Sequence, residues 1–313
     1  MLTTRFTELV GCEIPLEQAG MGSVATADLA IAVSQAGALG MLGLPTVPAP
    51  MVADILDNVA EATPSPVGVN FLMPFLDREA VEAAAERARL VEFFYADPDP
   101  GLVDVVHAGG GLAGWQVGDP DEAKKAQQAG CDLVVAQGVE AGGHVRGTIG
   151  LLPLLDGVLH AIGDTTPVVA AGGIGTARAV KAVLAAGADA ARVGTRFVAA
   201  EEADTHPDYA QALIDAHAQD TVLTTAFGVM WPDAPHRVLK TCIDAAEAFD
   251  GESVGELVMG EMKMPLPKFA VPCPGRTTTG TVGAMALYAG QSVGAVTKVQ
   301  PAADIVKELT ADL

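Results

Sequence analysis

The sequence has little of what marks secreted, metal-binding or nucleic-acid-binding proteins. It has four cysteines in 313 residues, and Cys12, Cys131, Cys242 and Cys273 form no CxxC pair and have no histidine at metal-ligand spacing. Neither a disulfide framework nor a zinc site is therefore expected. The 18 basic residues against 39 acidic ones give a net charge of −21, which opposes binding to nucleic acid or to an anionic membrane.

Long apolar runs and several catalytic motifs are also missing. No stretch of about 18 apolar residues occurs, and the first residues, MLTTRFTELVGCEIP, contain no apolar segment of a leader peptide. The sequence thus predicts a cytoplasmic protein without a membrane span. It contains neither a GxSxG elbow nor an HExxH motif, so serine-hydrolase and zinc-protease functions lack the residues to carry them.

What the sequence does contain is a regular alternation of short apolar runs and amphipathic segments. Half of the residues are hydrophobic, enough for a sizeable core. In the segment 51–62, for example, the apolar residues fall on one helical face. Strands are predicted at 14–18, 39–43, 67–72, 91–95, 113–117, 132–136, 167–171 and 190–194. Eight such β-α units favour a (β/α)8 TIM barrel, an α/β fold, over an open doubly wound sheet.

One junction recurs along these units and supports the same fold. The segments QAGALGML, QAGCDLVV and AAGADAARV each place a glycine, at Gly37, Gly130 or Gly187, between an alanine-rich helix and a strand. A left-handed backbone conformation is sterically cheap at glycine, so each helix is predicted to end there.

Residues 201–275 break this rhythm. We interpret them as a mostly helical, partly irregular elaboration beside the barrel mouth, and the dense prolines of 262–275 argue against regular strands there. Residues 1–200 and 276–313 are then expected to form the barrel, with a C-terminal amphipathic helix completing its outer ring.

Glycine-rich segments follow the seventh and eighth predicted strands. AAGGIGT supplies Gly172, Gly173 and Gly175, and VGTRF supplies Gly194. Barrel enzymes bind phosphate at these two loops, where backbone N–H groups can approach an anion because no side chain intervenes. The alternative is that the glycines only make tight turns. GGIGT does not fit the GxGxxG pattern of dinucleotide-binding folds, which also needs an acidic residue after the next strand.

His144 is the strongest candidate for a catalytic residue. It follows Gln137, the end of the sixth apolar run, within the glycine-rich segment GVEAGGHVRG. A neutral imidazole at the barrel mouth can accept a proton at physiological pH. Glu140 is expected either to orient this imidazole or to cap a turn, and Arg146 is expected to be solvated. The other histidines, His236 among them, have no partner at a useful spacing.

Several motifs together resemble the nitronate monooxygenase (2-nitropropane dioxygenase-like) family of FMN-dependent barrels. They are EQAGMGS, GVNFLMPF, QGVEAGGH, AAGGI, GTRF and ALYAGQSVG, and they span most of the chain. The motifs are also similar to those of FMN-dependent enoyl-acyl-carrier-protein reductases.

The resemblance implies an FMN site and a catalytic base. It implies that His144 removes the α-proton of a nitroalkane, or assists a nitronate, before oxidation by the flavin and dioxygen. The implied cofactor-binding residues are Met21, Gly22, Asn70, Gln137, Gly142, Gly172, Gly173, Gly175, Gly194 and Thr195.

Two segments depart from the family pattern, and two other functions compete. Val145 separates His144 from Arg146, and Ala96-Asp97-Pro98 replaces the usual glycine after the fourth strand. The first alternative function is an FMN-dependent NAD(P)H oxidoreductase acting on quinones or enoyl thioesters. The second is a non-redox barrel that binds a phosphorylated ligand. A small-molecule substrate with O2 is the expected partner set, and a homodimer is the expected assembly.

Overall fold

Eight parallel strands form a barrel in the computed structural model, which describes residues 2–259, 262–311 and 313. The barrel is closed between its first two strands, where the N–H of Gln18 donates to the carbonyl of Leu39 over 2.9 Å. The strands are β1 (Leu16–Gln18), β2 (Gly40–Gly43), β3 (Val67–Leu72), β4 (Leu90–Phe94), β5 (Leu112–Val117), β6 (Leu133–Gln137), β8 (Val168–Ala171) and β9 (Ala190–Val193), with the short β7 (Gly143–His144) outside the barrel. Each barrel strand overlaps a predicted one, so the predicted TIM barrel is confirmed.

The helices are α1 (Arg5–Val10), α2 (Ala27–Gln35), α3 (Ala49–Ala62), α4 (Arg78–Ala85), α5 (Pro100–Gly109), α6 (Pro120–Gln128), α7 (Leu151–Ile162), α8 (Ala177–Ala185), α9 (Thr195–Val198), α10 (Pro207–Ile214), α11 (Lys240–Ala248) and α12 (Ala302–Leu309). Helices α2 to α8 alternate with the barrel strands, as the sequence pattern predicted. The C-terminal α12 contacts both α2 and α8 and so completes the outer ring. Within the ranges given above, no helix has the length and apolar character needed to cross a bilayer.

Alternate residues of the strands pack on opposite sides of the barrel wall. In β6, Leu133 and Val135 belong to a cluster inside the barrel, whereas Val134 and Ala136 pack against the helices. Helix α1 contributes Phe6 to the inner cluster. The inner core is therefore a packed one, and the C-terminal ends of the strands are left as the face for a site.

The recurring glycine junction has the left-handed backbone conformation that the sequence predicted. Gly37, Gly130 and Gly187 have φ angles of 92°, 92° and 105°, in the left-handed region. Each lies just past the end of a helix and before the next strand. The three junctions thus repeat one local solution for returning from a helix to the barrel wall.

Between α9 and α12 the chain leaves the barrel pattern, and here the prediction was partly wrong. Besides α10 and α11 this part contains β10 (Thr221–Thr224), β11 (His236–Leu239), β12 (Ser253–Met259), β13 (Met262–Pro267) and β14 (Thr279–Gly280). Strands β10, β11 and β7 form one antiparallel sheet, and β13, β12 and β14 form another. The elaboration is therefore less helical than expected. Its division from the barrel at residues 201 and 275 stays a prediction.

The prolines of 262–275 do not exclude a strand. Pro265 and Pro267 lie in β13, which pairs with β12 on one side and is an edge of its three-stranded sheet. A proline lacks the N–H that a central strand needs on both sides, but an edge strand leaves one side unpaired. The sequence argument failed because it did not distinguish edge strands from central ones.

Candidate active site

The predicted site residues surround the C-terminal ends of the barrel strands. Met21 and Gly22 follow β1, Asn70 lies in β3 and Gln137 ends β6. The remaining predicted residues lie in the segments after β6, β8 and β9: Gly142, His144, Gly172, Gly173, Gly175, Gly194 and Thr195. The fold therefore brings residues from five strands and more than 170 positions of sequence to one face.

His144 lies in β7 rather than in a free loop, because the elaboration pairs with it. Its partner in the antiparallel register is His236 of β11, and the flanking Val145 N–H donates to the carbonyl of Pro235 over 2.9 Å. The side-chain Nε2 of Gln137 donates to the backbone carbonyl of His144 over 3.2 Å. The backbone that carries the imidazole is thus held by β11 on one side and by the Gln137 side chain on the other.

The imidazole of His144 lies within a group of aromatic rings. Its centroid is 4.0 Å from that of Trp231 in a stacked arrangement, 5.9 Å from Tyr95 and 5.8 Å from Tyr288. Its Nε2 is buried and has no hydrogen-bond partner in the described part of the chain. A buried polar atom without a partner is rare in folded proteins and marks a place where a ligand group can bind.

Burial also sets the charge of this imidazole. The pKa of His144 is lowered to about 3, mainly because burial removes solvent from the ring and to a smaller extent because the imidazole of His236 is nearby. The ring is therefore neutral at physiological pH and has a lone pair available on one nitrogen.

His236 has a structural role that explains its neutrality. Its Nε2 accepts the Phe227 N–H over 3.2 Å, so its Nδ1 carries the proton and donates to the Ala234 carbonyl over 2.8 Å. Burial lowers its pKa. The sequence interpretation, which gave His236 no useful partner, was wrong about its surroundings: its ring lies 5.3 Å from that of His144. The two are 92 residues apart, and no local pattern links them.

Glu140 caps a helix rather than orienting the imidazole. Both of its carboxylate oxygens accept the N–H of Leu151, the first residue of α7, over 3.0 Å. Gly150, which precedes this helix, has no side chain that can cap it. Of the two roles that the sequence left open, the contacts support the cap.

The glycine loop after β8 has a backbone that side chains would obstruct. Gly172 and Gly173 have φ angles of 104° and 71°, which other residues rarely adopt. A Cβ atom at Gly172 would lie 2.9 Å from the Gly138 carbonyl oxygen, and one at Gly175 would lie 3.0 Å from Ser292 Cβ. Within the described ranges, the N–H groups of Gly173 and Gly175 donate no hydrogen bond to the protein. Free backbone N–H groups of this kind are suited to an anion.

The segment Gly290–Ala295 lies against this loop, and the sequence interpretation had given its residues no role. The N–H of Gly290 donates to the hydroxyl of Thr195 over 3.0 Å, and the N–H of Gln291 donates to the carbonyl of Glu140 over 2.9 Å. A Cβ at Gly142 would overlap the backbone of Gly290. The motif ALYAGQSVG, already part of the family resemblance, was the signal that could have found this segment.

Residues at the C-terminal ends of β1 and β3 form a second side of the site. The Met21 sulfur would lie 3.6 Å from a Cβ at Gly194, so the two loops are neighbours. Asn70 lies under Gly20, where any Cβ would crowd the asparagine side chain. The amide of Asn70 donates to Oε1 of Glu92 over 2.7 Å.

Beneath Asn70 lies a buried ionic cluster that the sequence interpretation missed. Arg192 of β9 forms ion pairs with Glu17 of β1 and with Glu92 of β4, and its Nη1 donates to Gln116 over 2.7 Å. All four side chains are buried, and burial raises the pKa of Glu17. The signal was a charged residue inside each of three apolar strands, since a charge is rarely fully buried without a partner.

Arg146 is not simply solvated, contrary to expectation. It forms ion pairs with Asp97 over 2.5 Å and with Glu122 over 3.0 Å. These residues line a cavity of about 550 Å³ on the same face of the barrel, together with Asp119, Pro120, Asp121 and Lys125. Four carboxylates and two cations give this cavity a net negative charge. Asp97, in the segment that departs from the family pattern, thus holds the arginine that follows His144.

The site has no sign of a metal centre among its described side chains. Within residues 2–259, 262–311 and 313, no group of three or more His, Cys, Asp or Glu is placed to hold an ion. The chemistry available is that of a neutral imidazole on the same face as backbone N–H groups suited to an anion. A site of this kind at the C-terminal face of a (β/α)8 barrel defines a barrel enzyme.

Comparison with known proteins gives the family. The family model described as nitronate monooxygenase matches residues 3–85 and 75–312. The chain therefore belongs to the nitronate monooxygenase family, as its motifs indicated, and is an oxidoreductase.

Two relatives from bacteria illustrate the range of activities. A nitronate monooxygenase of Pseudomonas aeruginosa is 31% identical over 274 residues, covering 71% of this chain and 77% of the relative. The (3aS,4S,5R,7aS)-5-hydroxy-7a-methyl-1-oxo-octahydro-1H-indene-4-carboxyl-CoA dehydrogenase of Mycobacterium tuberculosis is 34% identical over 242 residues, covering 77% of this chain. The chain matches about two thirds of the length of that dehydrogenase, 67%.

Solved structures show the same fold with similar sequences. FabK from Thermotoga maritima superposes with a TM-score of 0.81 at 29% identity, covering 99% of this chain and 95% of that one. A nitroalkane oxidase from Streptomyces ansochromogenes superposes with a TM-score of 0.76 at 29% identity, covering 98% of this chain and 97% of that one.

Proposed function

We propose that the protein is an FMN-dependent nitronate monooxygenase that oxidises alkyl nitronates with O2, and that it also accepts nitroalkanes by first removing their α-proton. The observation that carries the proposal is the unpartnered Nε2 of His144, buried at the barrel mouth on the same face as the glycine loops. Membership of the nitronate monooxygenase family and the likeness to a nitroalkane oxidase support it.

The residues at the mouth fit an FMN. The free N–H groups of Gly173 and Gly175 would hold its phosphate, and Gly194 and Thr195 would contact it as the family resemblance implies. The Oε1 atom of Gln137 is buried without a partner and would accept a hydrogen bond from the ring system. Asn70, Gly142 and the Met21–Gly22 segment would contact the rest, as the family resemblance implies. When bound, FMN supplies the electron transfer between the nitronate and dioxygen.

His144 acts on the substrate proton in this proposal. Its neutral imidazole accepts the α-proton of a nitroalkane at Nε2, and the product is the nitronate with the negative charge on its two oxygens. The resulting imidazolium is stabilised by this anion, which raises the pKa of the imidazole while the ion pair lasts. A substrate supplied as the nitronate needs no proton removal, so it depends less on His144.

The alternative, an FMN-dependent NAD(P)H oxidoreductase acting on quinones or enoyl thioesters, is favoured by one similarity. It is the relationship to the carboxyl-CoA dehydrogenase of Mycobacterium tuberculosis, whose name gives a CoA thioester as the substrate. The cavity around Arg146 opposes it, because its two cations are already paired with carboxylates and its net charge is negative. Phosphate groups of CoA or NADPH would be repelled there.

Anaerobic mixing tests the proposal. Purified protein containing FMN is mixed in a stopped-flow instrument with a nitronate and, separately, with NADH and NADPH. Bleaching of flavin absorbance by the nitronate and not by either nucleotide is the expected result. Bleaching only by a nucleotide would support the alternative, and a colourless protein that takes up no FMN would refute both.

A further inference from the structure

The indole of Trp231 covers His144. The two rings are stacked at 4.0 Å between centroids with 19° between their planes, and Trp231 is 8% exposed. Tyr95 meets the indole edge-to-face at 4.6 Å on another side. The lone pair of an imidazole nitrogen lies in the plane of the ring, so the stacked indole covers one face of His144 and borders the space that Nε2 faces without covering the nitrogen itself.

The segment that carries Trp231 is held at both ends and strained between them. Val229 pairs with Ala270 at one end, and the Pro235 carbonyl accepts from Val145 at the other. Between them, Met230 and Asp233 have φ angles of 82° and 57°, in the left-handed region that disfavours side chains. Such strain persists where surrounding contacts enforce it, and it is concentrated at functional sites.

An apolar cavity lies beyond the indole. Its volume is about 300 Å³, and its lining includes Leu44, Pro45, Val47, Pro48, Phe71 and Phe75. The ring of Phe75 meets Trp231 edge-to-face, with centroids 5.2 Å apart and an interplanar angle of 86°. Phe75 and Trp231 therefore stand between this cavity and the imidazole.

We propose that Trp231 determines the length of the alkyl chain that the enzyme accepts, by closing the route from His144 to this apolar cavity. The inference rests on the proposed function. The nitro or nitronate group lies at His144, and a short alkyl chain fits in front of the indole. Phe75 rests edge-to-face against the indole, so a longer chain enters the cavity only when the indole is removed and the Phe75 ring can turn aside. The cavity suits hydrocarbon because seven of its nine lining residues are apolar, the exceptions being Thr46 and Asp77.

Two measurements on the Trp231→Ala variant test the proposal. The first is kcat/KM with nitronates of nitroethane to 1-nitrohexane. Each methylene that enters an apolar cavity improves binding by about fourfold. The ratio of kcat/KM for the hexane to the ethane nitronate is therefore expected to be at least about tenfold higher in the variant than in the wild type. An equal ratio in the two proteins would overturn the proposal.

The second measurement is the binding of alkanoates, from acetate to hexanoate, by isothermal titration calorimetry. A carboxylate matches the planar, delocalised anion of a nitronate but does not react. The affinity for alkanoates is expected to rise with chain length up to hexanoate in the variant. In the wild type it is expected to stop rising at a shorter chain. If neither the wild type nor the variant turns over nitronates, the proposed function is refuted. The alkanoate affinities still test the role of Trp231 in that case.

Two further variants separate the ring from the loop. Trp231→Phe keeps an aromatic ring and is expected to give an intermediate chain-length profile, and it remains informative if the alanine variant does not fold. Met230→Ala changes the neighbouring side chain, which is 69% exposed, and is expected to keep the wild-type profile. A profile changed equally by Met230→Ala would show that loop conformation, and not the indole, sets chain length.

Discussion

Replacing Arg192 by methionine tests the buried ionic cluster that underlies Asn70. Arg192 is the cation that faces both Glu17 and Glu92 inside the barrel, and its side chain is 5% exposed. Methionine fills similar space but leaves two carboxyl groups without their counter-ion. Breaking a buried ion pair by removing one partner costs about 3–5 kcal/mol.

That cost converts into a measurable change of melting temperature. An entropy of unfolding of about 2.1 cal/mol/K per residue gives roughly 0.66 kcal/mol/K for 313 residues. The expected decrease in Tm for Arg192→Met is therefore about 5–8 °C. Thermal unfolding monitored by far-ultraviolet circular dichroism measures it. Arg78→Ala, which removes the exposed pair with Glu82, is the matched control and is expected to lower Tm by about 1 °C or less.

The decrease in Tm caused by Arg192→Met should also change with pH, and the direction of this change can be predicted. Burial already raises the pKa of Glu17, and Arg192 opposes that rise, so removing Arg192 raises the pKa of Glu17 in the folded state further above its unfolded value. A carboxyl group whose pKa is raised by folding destabilises the protein as pH increases through that range. The difference in Tm between variant and wild type should thus be larger at pH 8 than at pH 5. A loss no larger than that of Arg78→Ala, or one that shrinks as pH rises, would refute this account of the cluster.

Three further predictions follow from the site. Because the pKa of His144 is lowered to about 3, kcat/KM for a nitroalkane should show no acid limb between pH 8 and pH 5, and a limb near 6.5 would contradict this. Gly175→Val should weaken FMN binding by at least about tenfold in a fluorescence titration, because its Cβ would crowd the anion-binding loop, whereas Gly283→Ala, with open space around it, should not. Glu140→Ala should lower Tm by about 1–3 °C through loss of the cap on Leu151, measured by calorimetry. A loss of nitroalkane turnover of more than about 100-fold in Glu140→Ala without a change in Tm would instead favour an orienting role.

The barrel could be predicted from the sequence because its signals are local. Each strand is a short buried run, and a glycine such as Gly130 ends the preceding helix through its own backbone freedom. The loops that hold the predicted site residues follow from the same logic, since the C-terminal ends of parallel strands meet on one face.

The surroundings of His144 could not be predicted in this way. Trp231 and His236 come from a segment about 90 residues away, and they reach the imidazole through the pairing of β11 with β7. That pairing depends on backbone register, which no local sequence pattern specifies. The low pKa of His144 results from this burial and was equally hidden.

The buried cluster shows a second kind of limit. Glu17, Glu92 and Arg192 were visible as charges in apolar strands, but their mutual contact depends on the inward side of three different strands. The role of Arg146 was missed for a similar reason, since its partner Asp97 lies 49 residues earlier.

The central claim is that Nε2 of His144 takes the substrate proton at a flavin site on the barrel mouth. Its most direct test is the rate of the His144→Asn variant with a nitroalkane and with the preformed nitronate of the same compound, at equal FMN occupancy. Nitroalkane turnover is expected to fall by about 100-fold or more, whereas most of the nitronate oxidation is expected to remain. Unchanged nitroalkane turnover in an FMN-loaded variant would contradict this claim.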